Sequence, residues 1–495
     1  MLTRVRVIKN NKVGMIRRVC FFAAGLWLAV APLWAQYYKT YTTTADGRRL
    51  MAVETGRSAE GEGSVVSVDA GRKYQTMEGF GYAVTYSAAY NLLRMQPSER
   101  HAFLVRTFSP KAGYGCSYVR VSIGCSDFSS TEYTLCDTEG LEHFGLQRDE
   151  TDYVIPVLHE ILQINPELKI IAAPWTCPRW MKVENQQNLK PHYEWTAGHL
   201  NPKYYADYAQ YFVKFVQAMG EQGIPIYAVS PQNEPLTGGN CASLFMLWDE
   251  QAEFLKHLAP AFKRAGLKTK IYAFDHNFNY DRMSGQEQYP LKVFAALGDV
   301  EGKELVAGSA WHSYGGHPSE LEKIRRGAPE KDIIFTEASI GTWNNGRNLS
   351  SLPDDFDFLV LGTVNRYCSA VVVWNLMLDL QRGPNLAGGC TTCFGAVDID
   401  EKDYSTITPN RQYYMINHIA AVVQPGAVRI GGEGRVEGVN MAFFRNPDGT
   451  VAVVAANLGT EDRKVTLKVK KPRVSAPVVV PARSVVSVLL SRRKL

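Results

Sequence analysis

The chain has 495 residues, 45% of them hydrophobic and 21% charged, with a formal net charge of +5. That length buries a large core and fits one large domain with a smaller one beside it. Residues 1–35 carry Arg4, Arg6, Lys9, Lys12, Arg17 and Arg18 and no acid; taking these six cations from +5 leaves −1, which removes any electrostatic case for a nucleic-acid or anionic-membrane partner.

Arg17 and Arg18 precede an apolar stretch from Val19 to Val30, and Leu33-Trp34-Ala35 then offers a cleavage position before Gln36. This is the pattern of an export signal, with Met15 an alternative start. A membrane anchor needs about 20 apolar residues, more than this run supplies, and no later stretch is long enough. The mature chain is therefore expected in the periplasm, at the cell surface or secreted, without an integral membrane segment. Of the nine cysteines, Cys20 lies in the leader. Cys390 and Cys393 form a lone C-x-x-C, which without a second pair or spaced histidines reads as a local disulfide or buried thiols, not a metal site.

Residues 36–75 hold strand-like pieces. From 76 to 411 the pattern repeats as apolar run, loop and amphipathic helix. The runs are Glu78–Gly81, Tyr118–Ile123, Lys169–Pro174, Ile224–Ser230, Lys270–Phe274, Leu305–Ala310, Ile333–Thr336 and Ala370–Trp374. Eight such runs predict an α/β fold, a (β/α)₈ barrel. Asn201 and Pro202 suit a helix start; Tyr204, Tyr208, Tyr211, Phe212, Phe215 and Met219 then recur at helical spacing, and Gly220 suits its end. That stripe reads as core packing. From 412 to 495 the period shortens to two: Val439–Phe444, a turn at Asn446-Pro447-Asp448-Gly449, Val451–Ala456, the alternating Lys464–Lys470 and Val485–Leu490. These predict an attached antiparallel β-sandwich, which the 36–75 segment would complete.

Two apolar runs end on a carboxylate. Ile224 to Ser230 leads through Pro231-Gln232-Asn233 to Glu234, and Ile333-Ile334-Phe335-Thr336 leads to Glu337. In a parallel barrel all C-terminal strand ends share one face, so the fourth and seventh strands deliver both glutamates to one mouth. Paired carboxyls, one protonated and one ionised, are what glycoside hydrolysis requires. A lone glutamate at a strand end would read as a structural ion pair; two at matching positions favour catalysis.

Asn233-Glu234-Pro235 and Thr336-Glu337-Ala338 in this order resemble glycoside hydrolase family 30, the glucosylceramidase-like retaining β-glycosidases. Glu78-Gly79-Phe80-Gly81, Arg120-Val121, Cys125 to Ser129, Ala173-Pro174-Trp175-Thr176, Trp374-Asn375-Leu376 and Gly383-Pro384-Asn385 extend the resemblance through nearly the whole mature chain. It implies Glu234 as general acid/base and Glu337 as nucleophile. Asp127, Trp175, Asn233, His312, Tyr314, Trp374 and Asn385 would contact the sugar, with Arg120 supporting Glu337, and no metal or cofactor is implied. Tyr86 stands where the family commonly has an acid, and Ser313 where relatives carry an aromatic. The implied substrate is a β-glucoside: β-1,6-glucan, or glucosylceramide as the alternative. A non-catalytic carbohydrate-binding protein is the rival from another class. A dinucleotide site at Gly79-x-Gly81 lacks its third glycine.

Overall fold

The computed structural model describes residues 37–239, 241–470 and 473–493. The export signal expected over 1–35, with its cleavage near Ala35, lies outside the described residues. Eight parallel strands close into a barrel: Gly79–Ala83, Tyr118–Ser122, Lys169–Ala173, Ala228–Val229, Lys270–Asn277, Val306–His312, Asp332–Glu337 and Cys368–Val373. The eighth pairs with the first, Ala370 opposite Gly79, so no edge is left open. Tyr118, Ile171, Ala228, Tyr272, Ala310, Ile334, Ala370 and Val372 pack together inside. Large rings set among small side chains fill the barrel as a core, not a pore.

The helices lie outside. Asn201 accepts from the Lys203 amide and caps a single tight turn, Pro202–Tyr204, before the α-helix Tyr205–Glu221. Tyr208, Tyr211, Phe212, Phe215 and Met219 are buried, as core packing requires. The helix Arg411–Ala420 is buried on every face. It runs past the boundary expected at 411. It stands against the first barrel strand, where Tyr82 Oη donates to the Tyr413 carbonyl, 3.1 Å.

Nine strands form the second sheet, in the order Ala52–Arg57, Tyr37–Thr44, Ser484–Ser491, Val451–Asn457, Val439–Arg445, Val428–Glu433, Ser64–Thr76, Arg463–Val469 and Val474–Val480. Three of them precede the barrel in sequence, so both ends of the described chain meet in one sheet. Neighbours are antiparallel except one pair: Ser64–Thr76 runs parallel to Arg463–Val469. Val66, Val68, Val451, Val453, Val465, Leu467, Val486 and Val488 form its core. His418 joins the last helix to this sheet, with Nδ1 3.0 Å from Ser487 Oγ and Nε2 2.9 Å from Thr43 Oγ1. Among the described residues no helix is long and apolar enough to cross a membrane.

Candidate active site

Glu337 is the last residue of the seventh strand. Glu234 does not end the fourth, as the run of apolar residues predicts. It lies five positions beyond Val229, with φ of 46° in the left-handed region. A non-glycine residue there costs of order 1–3 kcal/mol and persists only where its surroundings over-determine it. They do so here: the Asn233 amide donates to the Pro174 carbonyl, 2.8 Å, and the Glu234 amide to the Asp275 carbonyl, 3.1 Å.

Asp275 is the residue that sequence reasoning missed. The expected fifth strand stops at Phe274, but the observed one continues to Asn277 through a bulge, with φ of 77° at Phe274 and 68° at Asp275. Bulges re-aim side chains beside functional sites. Asp275 Oδ1 accepts from Thr336 Oγ1 at 2.6 Å and lies 3.1 Å from His312 Nε2; its Oδ2 accepts from Arg120 Nη2 at 2.9 Å. The missed signal was of the same kind as the other two, an apolar run (Ile271 to Phe274) ending on a carboxylate.

Arg120 is wholly buried and carries three partners: Asp275, Asn233 Oδ1 at 2.7 Å, and Glu337 Oε2. Its guanidinium also faces the rings of Trp175 and Trp374, 5.2 and 5.4 Å from their centroids. Those two indoles stack on each other, 5.1 Å apart and 30° between planes. Tyr314 Oη donates to Glu337 Oε1, 2.9 Å. Both oxygens of Glu337 thus accept from donors. On balance the Glu337 carboxyl is held above its ordinary value: burial and the charges of Glu234 and Asp275 push it up, against the pull of His312 and Arg120. Arginine keeps its proton throughout the accessible pH range, and burial holds the Tyr314 phenol well above its ordinary value. Donors that do not let go of their protons favour the ionised form of Glu337.

His312, expected to touch the sugar, is fully buried and bridges two carboxylates instead. Its Nδ1 is 3.2 Å from Glu234 Oε1, with Asp275 on the opposite nitrogen. Burial would lower His312, but the charges of Glu337 and Asp275 and the hydrogen bonds to Asp275 and Glu234 outweigh it and raise it to about 9. At neutral pH His312 is therefore an imidazolium with both nitrogens donating. Burial likewise pushes Glu234 up, against the His312 hydrogen bond and the charges of His276 and His312, which hold it below its ordinary value. His276 sits behind the same oxygen, Nδ1 3.9 Å from Glu234 Oε1, with Nε2 3.0 Å from Asp281 Oδ2. Glu234, His276 and His312 place three potential metal-ligand atoms within 4.8 Å of one another. Each imidazole has an aspartate on its other nitrogen, Asp275 for His312 and Asp281 for His276.

The cleft above these groups encloses about 300 Å³ and is lined by Asp127, Trp175, Asn233, Glu234, Asn277, Tyr314, Glu337, Ser339, Trp374 and, at its rim, Trp343 with Cys390 and Cys393. Asp127 Oδ1 is buried without a protein partner. Burial and the charges of Glu337 and Glu234 push the Asp127 carboxyl well up. Asn385 takes a different position from the expected sugar contact: its amide donates to the Arg382 and Cys390 carbonyls, 3.1 and 3.3 Å, and braces its own loop. Cys390 and Cys393 are disulfide-bonded. Tyr86, flagged by its departure from the family pattern, packs against Tyr90 and Tyr153 with ring centroids 5.8 and 4.9 Å away.

Residues 77–423 match the model of the glycosyl hydrolase family 30 TIM-barrel domain, and 426–488 that of the family 30 β-sandwich domain. The chain belongs to glycosyl hydrolase family 30. It is accordingly a glycoside hydrolase, with the family's barrel and sandwich domains. Among family 30 proteins it is 31% identical to the endo-1,6-beta-D-glucanase neg1 of Aspergillus fumigatus, over 80% of this chain and 81% of that one. It is 26% identical to the lysosomal acid glucosylceramidase of Mus musculus, over 87% of this chain and 84% of that one. The structure of the endo-beta1,6-glucanase BT3312 superposes with a TM-score of 0.89 at 50% identity, covering 92% of this chain and 99% of that one.

Proposed function

We propose that this family 30 enzyme is an exported, retaining β-glucoside hydrolase acting on β-1,6-glucan. The observation that carries the reaction class is the Arg120–Asp275–His312 array, which holds Glu337 at one end and Glu234 at the other over a single cleft. The substrate rests on the 50% identity to a protein described as an endo-β1,6-glucanase.

A glucose ring lies on the Trp374 and Trp175 faces, whose flat apolar surfaces suit C–H faces of a sugar. Asn233 spends its carbonyl oxygen on Arg120, so its amide N–H is aimed at the sugar 2-hydroxyl. Asp127, whose Oδ1 is buried without a protein partner, is placed to meet a pair of outer hydroxyls. Glu337 attacks the anomeric carbon; the glycosidic C–O bond breaks and the leaving oxygen takes a proton from Glu234, supplied across the short Glu234–His312 contact. In the second step Glu234 removes a proton from water, whose oxygen displaces Glu337 with net retention.

Proton NMR of the purified protein with pustulan, a β-1,6-glucan, tests both parts. The expected first product carries a β-anomeric end. Initial release of an α-anomer would sink the retaining mechanism, and inertness toward pustulan with turnover of glucosylceramide would transfer the assignment to the second substrate.

A further inference from the structure

We propose that Trp343 is the stacking platform of a leaving-group subsite that binds the second glucose ring of a β-linked glucan. The inference deepens the functional reading above and rests on it. Trp343 lies on the loop after the seventh strand, at the rim of the cleft beside Glu337, and is 53% exposed. Singly exposed aromatics are ordinary on a protein surface; what distinguishes Trp343 is that it lines the same cleft as Glu234 and Glu337.

The loop is built to hold the ring in place. Ile340–Gly341 pairs antiparallel with Cys393–Phe394, stitching the loop to the disulfide-bonded one after the eighth strand. The Thr342 amide adds a bond to the Thr392 carbonyl, 3.0 Å. The buried Arg411 guanidinium donates to the Asn345 and Asn344 carbonyls, 2.7 and 3.2 Å. The indole then lies across Gly341, where an added Cβ would meet Trp343 Cζ3 at 1.9 Å. The six-membered ring lies against Gly341, and any larger residue at 341 would displace it. Trp175 and Trp374 hold each other; Trp343 is held by its own loop.

The barrel order gives the direction. Asp127 follows the second strand and Tyr314 the sixth, which stand opposite each other in a closed ring of eight. A glucose whose outer hydroxyls reach Asp127 turns its anomeric carbon toward the fifth to seventh strands, where Tyr314 and Trp343 line the wall. Whatever is bonded to that carbon leaves over them. An apolar, flat, fixed surface on that wall recognises the C–H face of a further pyranose ring.

The test compares Trp343→Ala and Trp343→Phe with the wild type on a β-1,6-linked glucotetraose and on glucosylceramide, with thermal unfolding as a fold control. Trp343→Ala is expected to lower kcat/KM on the tetraose about 10- to 50-fold, mostly through KM, while Trp343→Phe, which keeps a flat face, stays within about fivefold. If the wild type does not cleave the tetraose, the functional reading itself fails, and the subsite with it. If the wild type cleaves it and Trp343→Ala stays within twofold, the subsite alone is overturned. A larger loss on glucosylceramide than on the tetraose would also overturn it, in favour of a lipid contact. So would an equal loss in both variants, which would make the ring a brace for the loop.

Discussion

Arg120 and Asp275 form an ion pair, 2.9 Å between Nη2 and Oδ2, with neither side chain exposed. A pair so deeply buried is seldom a net source of stability, because desolvation consumes its Coulomb energy. Its effect is positional. Arg120 orients Glu337 and Asn233, Asp275 orients His312, and His312 reaches Glu234, so one buried pair aligns both halves of the site.

Asp275→Asn keeps the shape and removes one of the charges that raise His312. The alkaline limb of the kcat/KM profile on β-1,6-glucan should move to lower pH, and unfolding should cost about 3–5 kcal/mol less, since Arg120 is left under-compensated. A pH profile with its alkaline limb unmoved would dissociate His312 from catalysis.

His312 has a folded pKa raised above its unfolded value, to about 9. Its contribution to stability is therefore fully present below about pH 6.5 and disappears as pH rises through about 9. Thermal unfolding across pH 6 to 10 should show this fall, and His312→Gln should flatten it.

His418 titrates in the opposite sense. Burial between Thr43 and Ser487 depresses it from 6.5 to about 3, so the fold holds it neutral while the unfolded chain takes up a proton. Stability should fall by about 1.4 kcal/mol per pH unit as pH drops below about 6.5. Denaturant titrations at pH 7 and pH 5 check this; His418→Gln should lose less stability than wild type on the same acid step.

Glu337→Gln should abolish nearly all turnover, by about 10⁴-fold or more. Glu234→Gln should slow glucan cleavage by about 10²–10⁴-fold. With Glu234→Ala, azide should restore rate on an activated glucoside and yield the β-glucosyl azide. An α-azide would place the nucleophile elsewhere.

Replacing Cys390 and Cys393 by serine opens a short loop, so the expected stability loss is modest, about 2 kcal/mol at most. The same change frees the strand paired with Ile340–Gly341. KM for glucan should rise while kcat changes less, and parallel losses in both would argue against a wall that acts through binding.

The eight barrel strands were legible because each is a short apolar run between turn signals, and a buried parallel strand needs no other pattern. Glu337 was legible because it closes such a run directly. Glu234 was read from the apolar run Ile224–Ser230 that leads to it, although its backbone departs from the strand that the run predicts. Asp275 directly follows the apolar run Ile271–Phe274 but was passed over; a bulge carries the strand three residues beyond Phe274, to Asn277. Asn385 and His312 were expected at the sugar; the structure gives their side chains protein partners, Asn385 within its own loop and His312 beside Glu234 and Asp275. A side chain's partners depend on where it points, and spacing along the chain does not carry that.

Local pattern was enough for the barrel, the sandwich strands and the two carboxylates at one mouth, because hydrophobic period and turn chemistry act over a few residues. Partnership was settled in three dimensions. Arg120 meets residues from 113 to 217 positions away, and the loop that carries Trp343 is fixed by a disulfide-bonded loop and a buried arginine on other elements. Contacts at such separations are set by the closing of the barrel, and the electrostatics of Glu234, His312 and Glu337 exist only once that closure has excluded water from between them.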